Sequence, residues 1–133
     1  MVVAALIARD GRLLICQRHN GDRQALKWEF PGGKVEQGET PKKALERELR
    51  EELGIVARAG QEMVRYEVRY PKRSPILLIF HLVTEFTGEP RNLVFEQILW
   101  EDPARLPSYD FLDGDLDLVH RLARGEFRLA GLG

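Results

Sequence analysis

The stretch GKVEQGETPKKALERELREELGI, Gly33 to Ile55, decides how the rest of the chain is read. Gly32 and Gly33 make a loop that can turn its backbone amides and carbonyls toward a ligand. Thr40-Pro41 then starts a helix, because threonine is a favoured N-cap and proline suits the first helical position. The helix is expected to run to Leu53, with Gly54 as the left-handed residue that ends it. Leu45, Leu49 and Leu53 recur every four residues and form its buried stripe. Glu48, Glu51 and Glu52 fall within an arc of roughly 100° that lies well round from the leucines. Like charges on one helical face repel. Arg47 and Arg50 are interleaved with these acids, and a solvated charged face is the bland reading. The sharper one is a set of hard oxygen ligands for divalent cations.

Val2 to Ala8 and Arg12 to Arg18 are β-rich runs separated by Arg9-Asp10-Gly11, a hairpin signal. His19 to Gln24 reads as a loop, and Trp28 to Phe30 as a short strand entering Pro31-Gly32-Gly33. Beyond the helix, strands are expected over about Met63 to Tyr70 and Ile76 to Phe86. The second is apolar without alternation, as for a strand buried on both faces. Val94 to Trp100 is a further strand, and Asp115 to Gly125 closes the chain as a helix with Leu116, Val119 and Leu122 on one side. The order β-β-β-α-β-β-β-α predicts an α/β sandwich of the α+β kind, with helices covering a mixed β-sheet. No repeat or linker divides the 133 residues, so one domain over 1–133 is expected.

Composition narrows the function. With 44% hydrophobic and 31% charged residues, the chain has the make-up of a soluble globular protein. A formal charge of −1 argues against a sequence-independent binder of nucleic acid polymers, which carries a basic excess. Cys16 is the single cysteine, so no disulfide framework exists and a cytoplasmic location is expected. The apolar N-terminus lacks a basic leader and is broken at Arg9-Asp10-Gly11, which reads as a hairpin and not a signal peptide. No run approaches the roughly 20 apolar residues of a membrane span.

Taken as one unit, Gly33 to Ile55 resembles the signature of the Nudix hydrolases: Gly, five residues, Glu, seven residues, then Arg-Glu-apolar-x-Glu-Glu-x-Gly-apolar. Gly33, Glu39, Arg47, Glu48, Leu49, Glu51, Glu52, Gly54 and Ile55 fill every specified position. At average residue frequencies a chance match is on the order of one in a billion per starting position. The motif spans about a sixth of the chain. The resemblance implies an α/β/α sandwich and Mg²⁺-dependent hydrolysis, with Mn²⁺ as an alternative ion. It implies Glu48, Glu51, Glu52 and the carbonyl of Gly32 as metal ligands, and a brace between Glu39 and Arg47. Glu48, Glu51 and Glu52 are also the candidate catalytic acids, with Glu52 first among them. Lys34 and Arg18 fall where the family places phosphate contacts, although for Arg18 a plain surface arginine is an equal reading.

Trp28 to Thr40 further resembles the MutT-like branch, which hydrolyses oxidised nucleoside triphosphates to monophosphate and pyrophosphate; the alternatives are a Nudix hydrolase of another nucleotide (CTP, methylated dCTP or ADP-ribose) and a non-catalytic nucleotide-sensing module. Glu29, Phe30 and Lys34 belong to that likeness. The branch often carries an extra acid six residues before a late tryptophan. Here Val94 holds that position before Trp100, and the nearest acid is Glu96. Glu96 is either the displaced acid and a second candidate base or an ordinary exposed residue. His19, His81 and His120 share no ligand spacing. The basic run Pro71 to Pro75 is within reach of a nucleotide or is solvated loop charge. Asp113 and Asp115 stand where the last helix begins, near Tyr109 and Phe111. Capping is one role for an aspartate there. The resemblance gives Asp115 another, reading a guanine-like base, with Phe30 supplying backbone polar groups and an apolar wall. The expected partner is a small nucleotide, bound by a monomer or weak homodimer.

Overall fold

A computed structural model describes residues 1–127. Strands β1 (Val2–Arg9) and β2 (Arg12–Gln17) are joined through Asp10 and Gly11, both with positive φ (53° and 78°). Two left-handed central residues match the twist of the hairpin's strands. Two short strands follow, β3 (Trp28–Glu29) and β4 (Gly32–Lys34), and then helix α1 (Pro41–Leu53). Thr40 caps α1 by accepting from the Lys43 amide, and Gly54 ends it at φ 68°. The remaining strands are β5 (Val56–Arg58), β6 (Glu62–Val68), β7 (Ile76–Val83), β8 (Glu85–Thr87) and β9 (Gln97–Glu101). Helix α2 (Leu116–Ala123) closes the described chain.

β1 lies at the centre of a seven-stranded mixed sheet, parallel to β7 along most of its length. Its antiparallel edge is shared: Val2 to Ala4 pair with β4, and Ala8 and Arg9 pair with β2. This splay brings the glycine loop against the start of β1. Both faces of β1 are buried. Ala4, Leu6 and Ala8 point into a core with Leu118, Val119 and Leu122 of α2, while Val3, Ala5 and Ile7 meet Leu45, Leu49 and Leu53 of α1. The result is the expected α/β/α sandwich, with a mixed sheet between helices.

Several boundaries differ from expectation. The strand foreseen over Ile76 to Phe86 ends at Val83; Glu85 to Thr87 leave it to pair with β5, a strand the sequence pattern did not signal. Val94 to Glu96 are not strand, because the Asn92 side chain folds the loop by bonding both the amide and the carbonyl of Phe95. The buried residues of α2 are Leu118, Val119 and Leu122, whereas Leu116 is 39% exposed. A 3₁₀ turn over Asp113–Asp115 precedes the helix, and α2 itself begins only at Leu116.

Candidate active site

The glycine loop is tight for specific reasons. Gly32 adopts φ 155° against β1, and a Cβ there would run into the Val3 carbonyl. At Gly33 a Cβ would stand 2.5 Å from the Glu48 carboxyl carbon. The missing side chain is the space in which that acid sits. Glu52, one turn further along α1, accepts from the Gly32 amide at 3.1 Å. Loop and helix are tied together by Arg47. It forms a two-pronged bond to Glu39 (2.8 and 3.0 Å) and reaches the Lys34 carbonyl (3.1 Å), Glu48 (3.0 Å) and Glu51 (3.4 Å). Such fork-on-carboxylate pairs are both directional and strong.

The electrostatics of this corner are unbalanced. Burial, helped by the charges of Glu48 and Glu29, pushes the Glu52 carboxyl up to about 8. Burial also raises Glu48, in spite of Arg47. Among the described residues, no three His, Cys, Asp or Glu side chains converge on one point ready to hold a metal. Glu48 and Glu51 are turned to Arg47, and Glu52 to the Gly32 amide. The donor set nonetheless fits a hard divalent cation: all-oxygen, crowded, partly desolvated, and relieved by added positive charge.

Beside the loop lies a cavity of about 220 Å³, lined by Ala4, Phe30, Gly32, Gly33, Phe80, Leu112 and Asp115, with Arg18 and Glu29 on its rim. The apolar wall is aromatic: Phe30 packs against Phe80 edge-on at 6.0 Å and against Phe111 at 5.4 Å. Asp115 is 7% exposed and makes no capping bond to α2. Burial first, then the charge of Glu29, pushes its carboxyl up to about 7. Glu29 itself is raised by burial, although Arg18 pairs with it at 2.7 Å. Tyr66 donates to the Gly114 carbonyl at 2.7 Å and so anchors the turn that carries Asp115.

The expected residues thus divide. Gly32, Gly33, Glu39, Arg47, Glu48 and Glu52 meet at one corner, with Glu51 exposed at its edge. Arg18, Glu29, Phe30 and Asp115 share the cavity. Gly54 ends α1, away from the cavity lining. Lys34 contributes its carbonyl to Arg47, while its side chain is exposed and outside the lining. Glu96 is exposed and accepts from the Asn20 amide at 3.3 Å. His81 is buried and bonds the Gly60 carbonyl, whereas His19 and His120 are exposed. Sequence reasoning does not single out Tyr66, Tyr70, Leu78 or Phe80; β6, the segment just after it and β7 bring them to the site from far along the chain, with no motif to mark them.

This geometry has counterparts among known proteins. The NUDIX domain family matches residues 1–122. The chain belongs to the Nudix hydrolase family. Within it the likeness is MutT-like. An 8-oxo-dGTP diphosphatase of Haemophilus influenzae is 41% identical over 122 residues, covering 90% of this chain and 89% of that protein. A CTP pyrophosphohydrolase of Escherichia coli is 39% identical over 118 residues, covering 89% and 87%. A solved MutT, from work on the Aliivibrio salmonicida and Vibrio cholerae proteins, superposes with TM-score 0.80 at 31% identity, covering 95% of this chain and 97% of that one. Nudix hydrolases act on small nucleotides and generally need a divalent metal. No described helix of this one is long and apolar enough to cross a membrane.

Proposed function

We propose that this Nudix hydrolase converts a nucleoside triphosphate, of the 8-oxo-dGTP or dGTP kind first, to its monophosphate and pyrophosphate with Mg²⁺ (or Mn²⁺). The observation that carries the reading is the pairing of two ends in one cleft. The glycine loop, with Glu48 and Glu52 of α1 against it, lines one part; a buried, uncapped Asp115 among aromatic walls lines another. The first suits a polyphosphate with its cations, the second a nucleobase.

Glu48, Glu51, Glu52 and the Gly32 carbonyl would hold the metal, which supplies charge neutralisation at the polyphosphate and activation of water. Glu52 is the first candidate to accept the water's proton, and Glu96 is the second. Arg47, locked to Glu39, holds the loop against the helix and lets Glu48 and Glu51 exchange an arginine contact for the cation. Arg18 and Lys34 would meet phosphate oxygens, and Phe30 would wall the base. Residues 1–133 would act as one domain, as a monomer or weak homodimer in the cytoplasm.

A specific feature favours a second substrate beside the first. Ionised, Asp115 offers two acceptors, complementary to the N1–H and amine of guanine. Protonated, it offers one donor and one acceptor, complementary to N3 and the amine of cytosine. A carboxyl near 7 presents both forms at neutral pH. The likeness to a CTP pyrophosphohydrolase runs the same way. Incubation with Mg²⁺ and dGTP in ¹⁸O-water, followed by chromatography and mass spectrometry, tests the reaction. Monophosphate plus pyrophosphate is the expected pair; diphosphate plus orthophosphate, or no hydrolysis at all, refutes it.

A further inference from the structure

Arg18, Tyr70 and Leu112 line the cleft just described and also a second cavity of about 320 Å³, whose remaining wall carries Arg23, Gln24, Arg73 and Ile76. Two turns enclose it. In one, Arg18 Nε donates to the Arg23 carbonyl at 2.8 Å, and the Leu26 amide returns to the Arg18 carbonyl at 3.1 Å. In the other, the Arg73 amide donates to the Tyr70 carbonyl at 3.3 Å across a left-handed Lys72. Arg18 is already engaged by Glu29. Among the described residues, Arg23 and Arg73 form no ion pair with any carboxylate. The cavity therefore carries two uncompensated guanidinium groups and an aromatic ring, with no acid on its wall.

Its position relative to the main cleft identifies the ligand. The junction is Arg18, held on Glu29 at 2.7 Å, and Glu29 lines the main cleft together with Gly32 and Gly33 of the glycine loop and with Asp115. Tyr70 stands on the Asp115 side, where its hydroxyl would be 3.3 Å from a Cβ on Gly114. The branch thus opens from the cleft at Arg18, Tyr70 and Leu112, beside residues that line it at the glycine loop and at Asp115. A nucleotide with its base at Asp115 and its polyphosphate at the glycine loop would bring its sugar to this opening, with 2′ and 3′ as the positions open to substitution. Guanidinium groups with free donors select phosphate at such a place.

We propose that this second cavity is a subsite for a phosphate on the sugar, so that the enzyme accepts nucleotides phosphorylated at the 2′ or 3′ position as well as in the 5′ chain. The proposal rests on the nucleotide reading of the main cleft. Calorimetric titration with GMP, guanosine 3′,5′-bisphosphate and guanosine 2′,5′-bisphosphate, each with Mg²⁺, tests it. At least one bisphosphate should bind ~10-fold or more tightly than GMP, the scale of one charge-assisted hydrogen bond. The advantage should shrink as salt is raised. In the exposed double variant Arg23→Gln/Arg73→Gln it should vanish, with GMP affinity kept within about twofold. GMP binding with no gain from either extra phosphate, or a gain that survives the double variant, overturns the subsite and leaves the nucleotide reading standing. No binding of any of the three overturns both.

Discussion

The base recognition proposed for Asp115 depends on its protonation. Its carboxyl is held near 7 by burial and by Glu29, so its ionised share grows across the neutral range. The ratio of kcat/KM for dGTP over dCTP should accordingly rise several-fold between pH 6 and 8; roughly one pKa unit of differential interaction corresponds to a tenfold ratio. A ratio flat across that range would remove Asp115 from base selection. The same residue makes a stability prediction. In the unfolded chain an aspartate titrates near about 3.9. A folded value raised above this favours the neutral form, so the contribution is full below the unfolded value and is lost as pH rises through about 7. The melting temperature of Asp115→Asn, relative to the parent protein, should climb between roughly pH 4 and 7 and then level off. A constant difference would show that the carboxyl is not titrating in that window. From the sequence alone Asp115 has two readings, cap or base reader. The absent capping bond and its place in the cleft lining favour the second, and neither can be seen without the 3₁₀ turn that shifts the helix start past it.

Helix α1 carries stability on one side and chemistry on the other, and substitution can separate them. Leu49 is fully buried between α1 and β1. Leu49→Ala should lower stability by roughly 2–5 kcal/mol through the cavity it leaves. Glu52→Gln should leave melting close to the parent's or above it, since it removes a carboxyl whose ionised form is poorly solvated. Its turnover should fall at least ~100-fold with the loss of a ligand or base. Near-normal activity in Glu52→Gln would dismantle the metal-site assignment. This helix is legible in the sequence because every signal agrees: Thr40-Pro41 at its start, leucines every four residues, Gly54 at its end. β5 and β8 are not legible, because three residues offer too little periodicity to read. Leu116 misleads for a related reason. A helical period counted from the wrong first residue exchanges buried and exposed positions, and Leu118 takes the place expected for it.

At the scale of the whole molecule, the sheet is the part that makes one site from distant pieces. β1 is buried on both faces and holds α1 and its acids on one side, α2 with Asp115 at its entrance on the other. β4 lays the glycine loop across the start of β1, and β6, the segment just after it and β7 bring Tyr66, Tyr70 and Phe80 to the Asp115 side of the cleft. The acid-and-glycine half of the site lies in one contiguous motif, Gly33 to Ile55, and is readable from the residues themselves. The base half is assembled by strand pairing, and only Asp115, Glu29 and Phe30 have sequence context to announce them. The function proposed for this assembled cleft is hydrolysis of nucleoside triphosphates with selectivity for the base. Its most direct test is kcat/KM measured side by side with Mg²⁺ for 8-oxo-dGTP, dGTP, dCTP, 5-methyl-dCTP and ADP-ribose, on the parent protein and on Asp115→Ala. The expected result is highest efficiency on a guanine-type triphosphate, little on ADP-ribose, and a rise in KM of ~10-fold or more for that best substrate alone in Asp115→Ala. Highest efficiency on ADP-ribose, or a uniform loss over all five substrates in step with a lower melting temperature, would contradict it.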